Sequence, residues 1–195
     1  MCKKYRQHPQ MDQNAPVRNP DICQGRPPLI KVLPALIGAM LLASTALAGR
    51  EYTATPDSYV TLLRELAPGD RMTLSPGVYE HGLPIHGING SAQAPIVITG
   101  PDDARPAILL ARTGRNTISI VNSSHVAIQN LTLDGAGLPV DGVKCEGHAQ
   151  WAHHITLANL DIRGHGNNQQ TVGISTKCPA WGWVISGNRI VGAGT

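Results

Sequence analysis

Apolar and polar residues alternate in short runs from residue 71 onward, and Gly, Pro or Asn bounds each run. Alternation with a period of two predicts β-strands with one buried face. The pattern predicts strands over 71–75, 95–99, 107–110, 116–121, 126–133, 141–145, 154–162, 172–176 and 183–191. The chain from residue 71 is therefore expected to be all-β.

Only residues 55–70 carry a helical pattern. Asp57 is a suitable cap, Val60, Leu63 and Ala67 fall on one face, and Pro68-Gly69 would end the helix. We expect this short helix to cap the first strands.

The strands repeat at a fixed interval. "HVAIQNLTLDGAG" (125–137) and "HITLANLDIRGHG" (154–166) match by residue class, and a looser third copy contains "WVISGNRIV" (183–191). Asn130, Asn159 and Asn188 are each 29 residues apart. A fixed period of strands without helices indicates a solenoid. Its stacked strands lie about 4.8 Å apart, so the three asparagines are expected to form a side-chain ladder.

The amino-terminal region divides into a leader at 1–30, an apolar segment at 31–48 and a folded part at 49–195. Residues 1–30 show no periodicity, which indicates disorder or a start codon assigned too far upstream. Val32–Ala48 is an uncharged run that ends in Ala46-Leu47-Ala48, which favours a secretory signal cut after Ala48. A membrane anchor is the alternative, although the run is short for a bilayer core of about 30 Å. The product is expected to be periplasmic or secreted, without stable membrane association.

Charge divides along the same boundary. Residues 1–49 contain six Lys or Arg and two acids, whereas residues 50–195 contain ten Lys or Arg and eleven acids. The excess of positive charge therefore belongs to the leader, and we expect no nucleic-acid partner for the folded part.

Residues 57–135 resemble the first coils of right-handed parallel β-helix proteins of the pectin-lyase superfamily. The resemblance is strongest to polysaccharide lyases of the chondroitinase-B and alginate-lyase type. It is carried by Pro68-Gly69-Asp70, Gly77-Val78-Tyr79 and Pro95-Ile96-Val97-Ile98. It implies a right-handed parallel β-helix with a short N-terminal capping helix. Because the sequence ends mid-repeat at "GNRIVGAGT" without a capping element, we expect the β-helix to be truncated at its C-terminus. Calcium ligands and catalytic Lys and Arg are implied only in later coils, beyond residue 195, and no cofactor is evident here.

The resemblance implies an exported protein that acts on or binds an acidic polysaccharide. One form of this function is β-elimination from a uronate, in which a cation neutralises the carboxylate and a base removes the adjacent proton. The alternative is a non-catalytic carbohydrate-binding or cell-surface structural β-helix. A polygalacturonase-like hydrolase is disfavoured because no Asn-Thr-Asp run exists and the only Asp-Asp pair precedes the repeats.

Strand alternation predicts one candidate catalytic cluster. Val143 and Cys145 are expected to face inward, which places their polar neighbours outward on adjacent coils. The cluster consists of Lys144, Glu146, His148 and Lys177. Lys would bind a uronate carboxylate and His148 would act as base; the alternative is an ion pair on a solvated surface.

The remaining candidates are aromatic, sulfur and imidazole groups. Trp151, Trp181 and Trp183 suit stacking on sugar rings, or packing inside a turn. Cys145 and Cys178 are expected to be buried free thiols rather than a disulfide. His153 and His154 would point to opposite sides of a strand, so no metal site is expected. His165 is interpreted as a turn residue.

Overall fold

The computed structural model describes residues 49–102, 105–147, 151–166 and 171–192. The leader, the apolar segment and the expected cleavage position at Ala48 lie outside these residues. No helix among the described residues is long and apolar enough to cross a membrane.

The described chain is a parallel β-helix, as the repeat predicted, and all its strand ladders are parallel. Each coil contributes strands to three sheets. The first sheet contains β1 (Glu51–Ala54), β2 (Arg71–Leu74), β5 (Ile96–Thr99), β8 (Ser124–Gln129) and β11 (Ala152–Ala158), with β14 (Ala180–Trp181) and β15 (Val184–Ser186) both paired to β11. The second contains β3 (Gly77–Tyr79), β6 (Ala107–Leu110), β9 (Thr132–Asp134), β12 (Asp161–Arg163) and β16 (Arg189–Val191). The third contains β4 (Leu83–His86), β7 (Ile118–Val121), β10 (Val143–Cys145) and β13 (Ile174–Ser175).

The inward side chains of the three sheets form one apolar core. Leu, Ile, Val and Met fill it, and most have no exposed surface. Val143 and Cys145 face inward, as predicted. Burial of each such aliphatic side chain stabilises the stack by about 1.5–3 kcal/mol.

The helix is shorter than predicted. Helix α1 covers Tyr59–Leu63 after Ser58, and its inner face is Tyr59 and Leu63 rather than Val60. Tyr59 turns inward because its hydroxyl donates to the carbonyl of Gly82 at 2.7 Å, a bond that holds the helix on the first coil. The expected cap Asp57 lies outside the helix.

The asparagine row begins as predicted and then shifts by one residue. Asn159 Nδ2 donates to Asn130 Oδ1 at 3.3 Å, and Asn130 Nδ2 donates to Thr99 Oγ1 at 3.2 Å. Both asparagines have positive φ, and in the last coil Gly187 (φ 64°) takes this position. β11 and β15 are offset by 28 residues, with Leu157 opposite Ile185, so Asn188 falls outside the row. Its side chain instead bonds backbone groups, accepting from the Leu160 amide and donating to the Leu157 carbonyl.

The cysteines form a disulfide, so the expectation of free thiols was wrong. Cys145 and Cys178 are bonded, with their Cα atoms 5.7 Å apart. Alternation predicted that both cysteines face inward, and Cys145 is buried while Cys178, beyond the end of β13, is partly buried. Alternation did not indicate that the two sulfur atoms are close enough to bond. The bond joins one coil to the next.

Candidate functional site

The third sheet carries a groove on its outer surface, which we call the third-sheet groove. A depression of about 240 Å³ lies between the turn at 112–115 and β4 and β7. A second depression of about 310 Å³ shares Glu146 with the first and is lined by Lys144, Lys177 and the disulfide. The polar groups of the groove are His81, His86, Arg112, Arg115, Asn116, Ser119, Lys144, Glu146 and Lys177.

A tight turn presents the two arginines. Arg115 N donates to the Arg112 carbonyl at 3.2 Å, and Gly114 (φ 70°) supplies the left-handed conformation that closes the turn. The guanidinium of Arg112 donates to the carbonyl of His81 at 2.8 Å, across the groove floor. This contact fixes one guanidinium without neutralising it.

Hydrogen bonds fix the carboxylate of the groove. Asn116 Nδ2 donates to Glu146 Oε1, and Asn116 Oδ1 accepts from the Asp141 amide. Asp141 in turn pairs with Lys144 at 2.9 Å and accepts from the Val172 amide. Lys144 is therefore held by a nearly buried carboxylate and is not an unpaired cation.

Three cations of the groove lack such a partner. Among the residues that the structure describes, neither Arg112, Arg115 nor Lys177 makes an ion pair with a carboxylate. The groove thus contains three cations without an ion pair against the single carboxylate of Glu146, together with the hydrogen-bonding groups of Asn116, Ser119 and two imidazoles.

The predicted catalytic cluster is brought together in part. β10 pairs with β13 at an offset of 31 residues, with Lys144 opposite Ser175, and Lys144, Glu146 and Lys177 line one depression. His148 lies outside the described residues. The sequence missed Arg112, Arg115 and Asn116, because they lie in a turn one coil earlier, which strand alternation does not place.

A second polar cluster lies on the first sheet, at the start of β8 and β11. His125 stacks on His154 with ring centroids 4.5 Å apart, and His153 stacks on Trp181 at 4.3 Å. Nδ1 of His153 and Nδ1 of His154 are 2.7 Å apart. We call these four side chains, with Trp151 packed edge-on against Trp181 at 5.0 Å, the His–Trp cluster.

The prediction that His153 and His154 point apart was wrong. His154 has φ of 53°, in the left-handed region, and so does His125 one coil earlier. A left-handed residue interrupts strand alternation, so His153 and His154 both stand on the outer surface ahead of the buried Ile155. The recurrence of His at 125 and 154, 29 residues apart, was the available sequence signal.

The tryptophans divide between surface and packing. Trp151 and Trp181 are 56% and 45% exposed, so both leave ring surface available to a ligand. One face of Trp181 is covered by His153. Trp183 is partly buried, and its Nε1 donates to the Ala152 carbonyl at 3.0 Å.

Two histidines have lowered pKa values. Partial burial lowers the pKa of His153, and the neighbouring His154 and His125 lower it further. Burial also lowers the pKa of His165, which is completely buried rather than exposed in a turn. Nδ1 of His165 lies 3.2 Å from the Val140 carbonyl, and its Nε2 has no partner among the described residues.

No family model and no curated protein matches the chain. Among solved structures it is similar to a GH136 lacto-N-biosidase from Eubacterium ramulus, with a TM-score of 0.57 and 15% identity over 75% of this chain and 35% of that one. An alginate lyase from Paenibacillus sp. str. FPU-7 matches with a TM-score of 0.42 and 18% identity over 73% of this chain and 68% of that one. The chain thus spans about a third of the length of the lacto-N-biosidase. At 15% identity the likeness to the lacto-N-biosidase supports the β-helix fold and does not extend to activity.

Proposed function

We propose that the chain is an exported β-helix protein that binds an acidic polysaccharide along the third-sheet groove. The observation that carries this proposal is the set of three cations, Arg112, Arg115 and Lys177, that have no carboxylate partner among the described residues. Guanidinium groups bind carboxylate or sulfate through two parallel hydrogen bonds. Successive coils lie about 4.8 Å apart, so a polymer along the stack can contact several cations in turn.

The alternative explanation is that these cations only keep the surface soluble and bind no ligand. Two features favour a ligand site: Arg112 is oriented by the His81 carbonyl, and Glu146 is oriented by Asn116. Groups held in place before binding lose less conformational entropy when the ligand arrives. The lacto-N-biosidase has a similar fold, and its name indicates that it acts on a carbohydrate. This agrees with the proposal, which rests on the groove and not on the likeness.

The test compares binding of the full chain to alginate, chondroitin sulfate and a neutral glucan. We expect binding to the two anionic polymers, weakening with salt, and none to the glucan. Arg112→Gln with Arg115→Gln should weaken binding about tenfold or more, since a charge-assisted hydrogen bond contributes about 1.5–3 kcal/mol. Arg71→Gln, at a partly exposed arginine on the first sheet, is the matched control. Equal binding by all three proteins would refute the proposal.

The groove also contains the groups that β-elimination requires, which is the second candidate function. His81 and His86 lie in the same depression as the two arginines, and His86 Nε2 is 2.8 Å from Ser119 Oγ. In that reaction a cation binds the uronate carboxylate and an imidazole takes the proton from the adjacent carbon. The bond to the leaving oxygen then breaks, that oxygen takes a proton, and a carbon–carbon double bond remains.

Turnover separates the two candidate functions. Unsaturated products absorb ultraviolet light, so alginate and glycosaminoglycan substrates report the reaction directly. A lyase should lose turnover but keep binding in His86→Gln or His148→Gln, and lose both in Lys177→Gln. Binding without any product would leave the carbohydrate-binding function and exclude the lyase.

A further inference from the structure

The His–Trp cluster brings three imidazoles from two coils to one place on the first sheet. One ring nitrogen from each of His125, His153 and His154 lies within 4.8 Å of the other two. This surface belongs to the first sheet, whereas the groove proposed to bind polysaccharide belongs to the third. The cluster therefore requires its own explanation.

The backbone beneath the cluster is in an unfavourable conformation. His125 and His154 both have φ of 53°, and the equivalent position in the last coil is Gly182, with φ of 65°. A side-chain-bearing residue in this region costs on the order of 1 kcal/mol, a cost that glycine avoids. Residues held in such conformations often serve a function. Here the conformation makes His153 and His154 converge on the outer surface.

Packing alone accounts for only part of the arrangement. Stacking of His153 on Trp181 and of His125 on His154 covers ring faces. It does not bring the nitrogens of His153 and His154 together. Their Nδ1 atoms are 2.7 Å apart, which is hydrogen-bond distance, so one imidazole donates to the other when no ion is bound. Convergent imidazole nitrogens are the usual donor set for zinc, copper and nickel ions.

We propose that His125, His153 and His154 bind a divalent transition-metal ion of the zinc, copper or nickel class, one nitrogen from each ring serving as ligand. Nitrogens bound to zinc at about 2.0–2.1 Å in tetrahedral geometry stand roughly 3.3 Å apart. The observed separations, from 2.7 Å to a limit of 4.8 Å, bracket this value. Because the rings of His125 and His154 are stacked nearly parallel, at least one of them must also rotate so that its nitrogen lone pair points at the ion. With three protein ligands, the fourth position is open to water or to an anionic ligand.

Trp181 supplies the reporter for this site, since its ring lies against His153. The full chain, first stripped with EDTA, is titrated with Zn²⁺ by calorimetry and with Cu²⁺ by tryptophan fluorescence. We expect one Zn²⁺ per chain and quenching by Cu²⁺. In Trp181→Phe, Zn²⁺ should still bind while the quenching decreases, the remainder coming from Trp151, which packs against residue 181.

Variants locate the site. Loss of a residue that only hydrogen-bonds to a metal ligand already weakens metal binding by about tenfold or more. His125→Gln, His153→Gln and His154→Gln each remove a ligand itself, so each should weaken Zn²⁺ binding by more than about tenfold. Matched controls are His81→Gln and His86→Gln, both in the third-sheet groove. A variant with His8→Gln, Cys2→Ser and Cys23→Ser removes competing ligands in the leader and should keep the site. Circular dichroism checks that each variant is folded.

Three results would overturn the proposal. The first is an absence of stoichiometric Zn²⁺ binding by the full chain. The second is binding that survives in a folded triple His→Gln variant of the cluster, and the third is binding that disappears when only the leader ligands are replaced. Loss of Zn²⁺ binding with intact polysaccharide binding leaves the function of the groove untouched, because the two sites lie on different sheets.

Discussion

Two regions of the stack have the same sequence pattern and very different burial. Ile128 in β8 and Leu157 in β11 are completely buried, whereas Ile185 in β15, directly opposite Leu157, is 48% exposed. The second sheet repeats the contrast, with Ile162 buried and its partner Ile190 47% exposed. An inward position is thus buried only where further coils cover it, and burial in a solenoid depends on neighbours as well as on residue type.

Truncation of core side chains should give the largest difference in stability between the inner coils and the last coil. Leu157→Ala should lower the free energy of unfolding by about 2–5 kcal/mol, because it leaves a cavity between two coils. Ile185→Ala, on the half-exposed position opposite, should cost about 1 kcal/mol or less. Urea unfolding followed by circular dichroism measures both. Equal losses would mean that the last coil is as well covered as the inner ones.

The disulfide offers a second test of the difference between inner and outer coils, because it joins an inner coil to a less buried one. Cys145 and Cys178 close a loop with a sequence separation of 33, so their replacement by Ala should cost roughly 3–4 kcal/mol. Urea unfolding of the double variant and of the parent, both without reductant, measures this difference in the free energy of unfolding. Addition of dithiothreitol should destabilise the parent and leave the double variant unchanged; a parent insensitive to reduction would contradict the bond.

Self-association tests the exposed face of the last coil. Val184, Ile185, Ile190 and Val191 are each about half exposed, and the strands that carry them have no further strand above them among the described residues. We expect concentration-dependent association by light scattering, reduced in Ile185→Lys with Ile190→Lys. Val78→Lys, at an equally exposed position of β3, is the control. A parent that is monomeric at all concentrations would show that this face does not associate.

The smallest effect concerns pH. The pKa of His165 is lowered by burial, so the unfolded chain binds more protons than the folded one below the ordinary pKa of about 6.5. The free energy of unfolding should therefore keep its full value above about pH 6.5 and decrease as the pH falls below it. In His165→Gln this dependence should be weaker, as measured by urea midpoints at pH 7.5 and 5.5. The exposed His81→Gln serves as control, and identical pH profiles would exclude His165 as the source.

The sequence predicted what repeats and missed what departs from the repeat. The 29-residue interval placed Asn130 and Asn159 in one row, and alternation placed Val143 and Cys145 in the core. Asn188 was misplaced because the offset of the last coil is 28 residues, and no residue class in the pattern marks a one-residue deletion. Here Gly187, which adopts the left-handed conformation without strain, takes the place of asparagine.

The candidate sites were predictable only where they lie on regular strands. Lys144 and Glu146 follow from alternation, and the structure places them with Lys177 in one depression. Arg112 and Arg115 depend on a turn, and His154 depends on a backbone conformation that reverses the expected side-chain direction. Disulfide pairing likewise depends on distance between coils, which spacing along the sequence does not specify.

The coils differ in length although their strands stay in register. From β2 onward in the first sheet the paired residues are 26, 30, 29 and 28 positions apart, as in Arg71 with Val97, Ile96 with Val126, Ile155 with Val126, and Thr156 with Val184. Changes in length are absorbed in the connections, outside the ladders. A duplicated or exchanged coil therefore has to match its two neighbouring coils only in the register of the strands that pair with them. This makes the coil the natural unit for recombination in the laboratory, and duplication of the coil that carries His153 and His154 would lengthen the imidazole row by one rung.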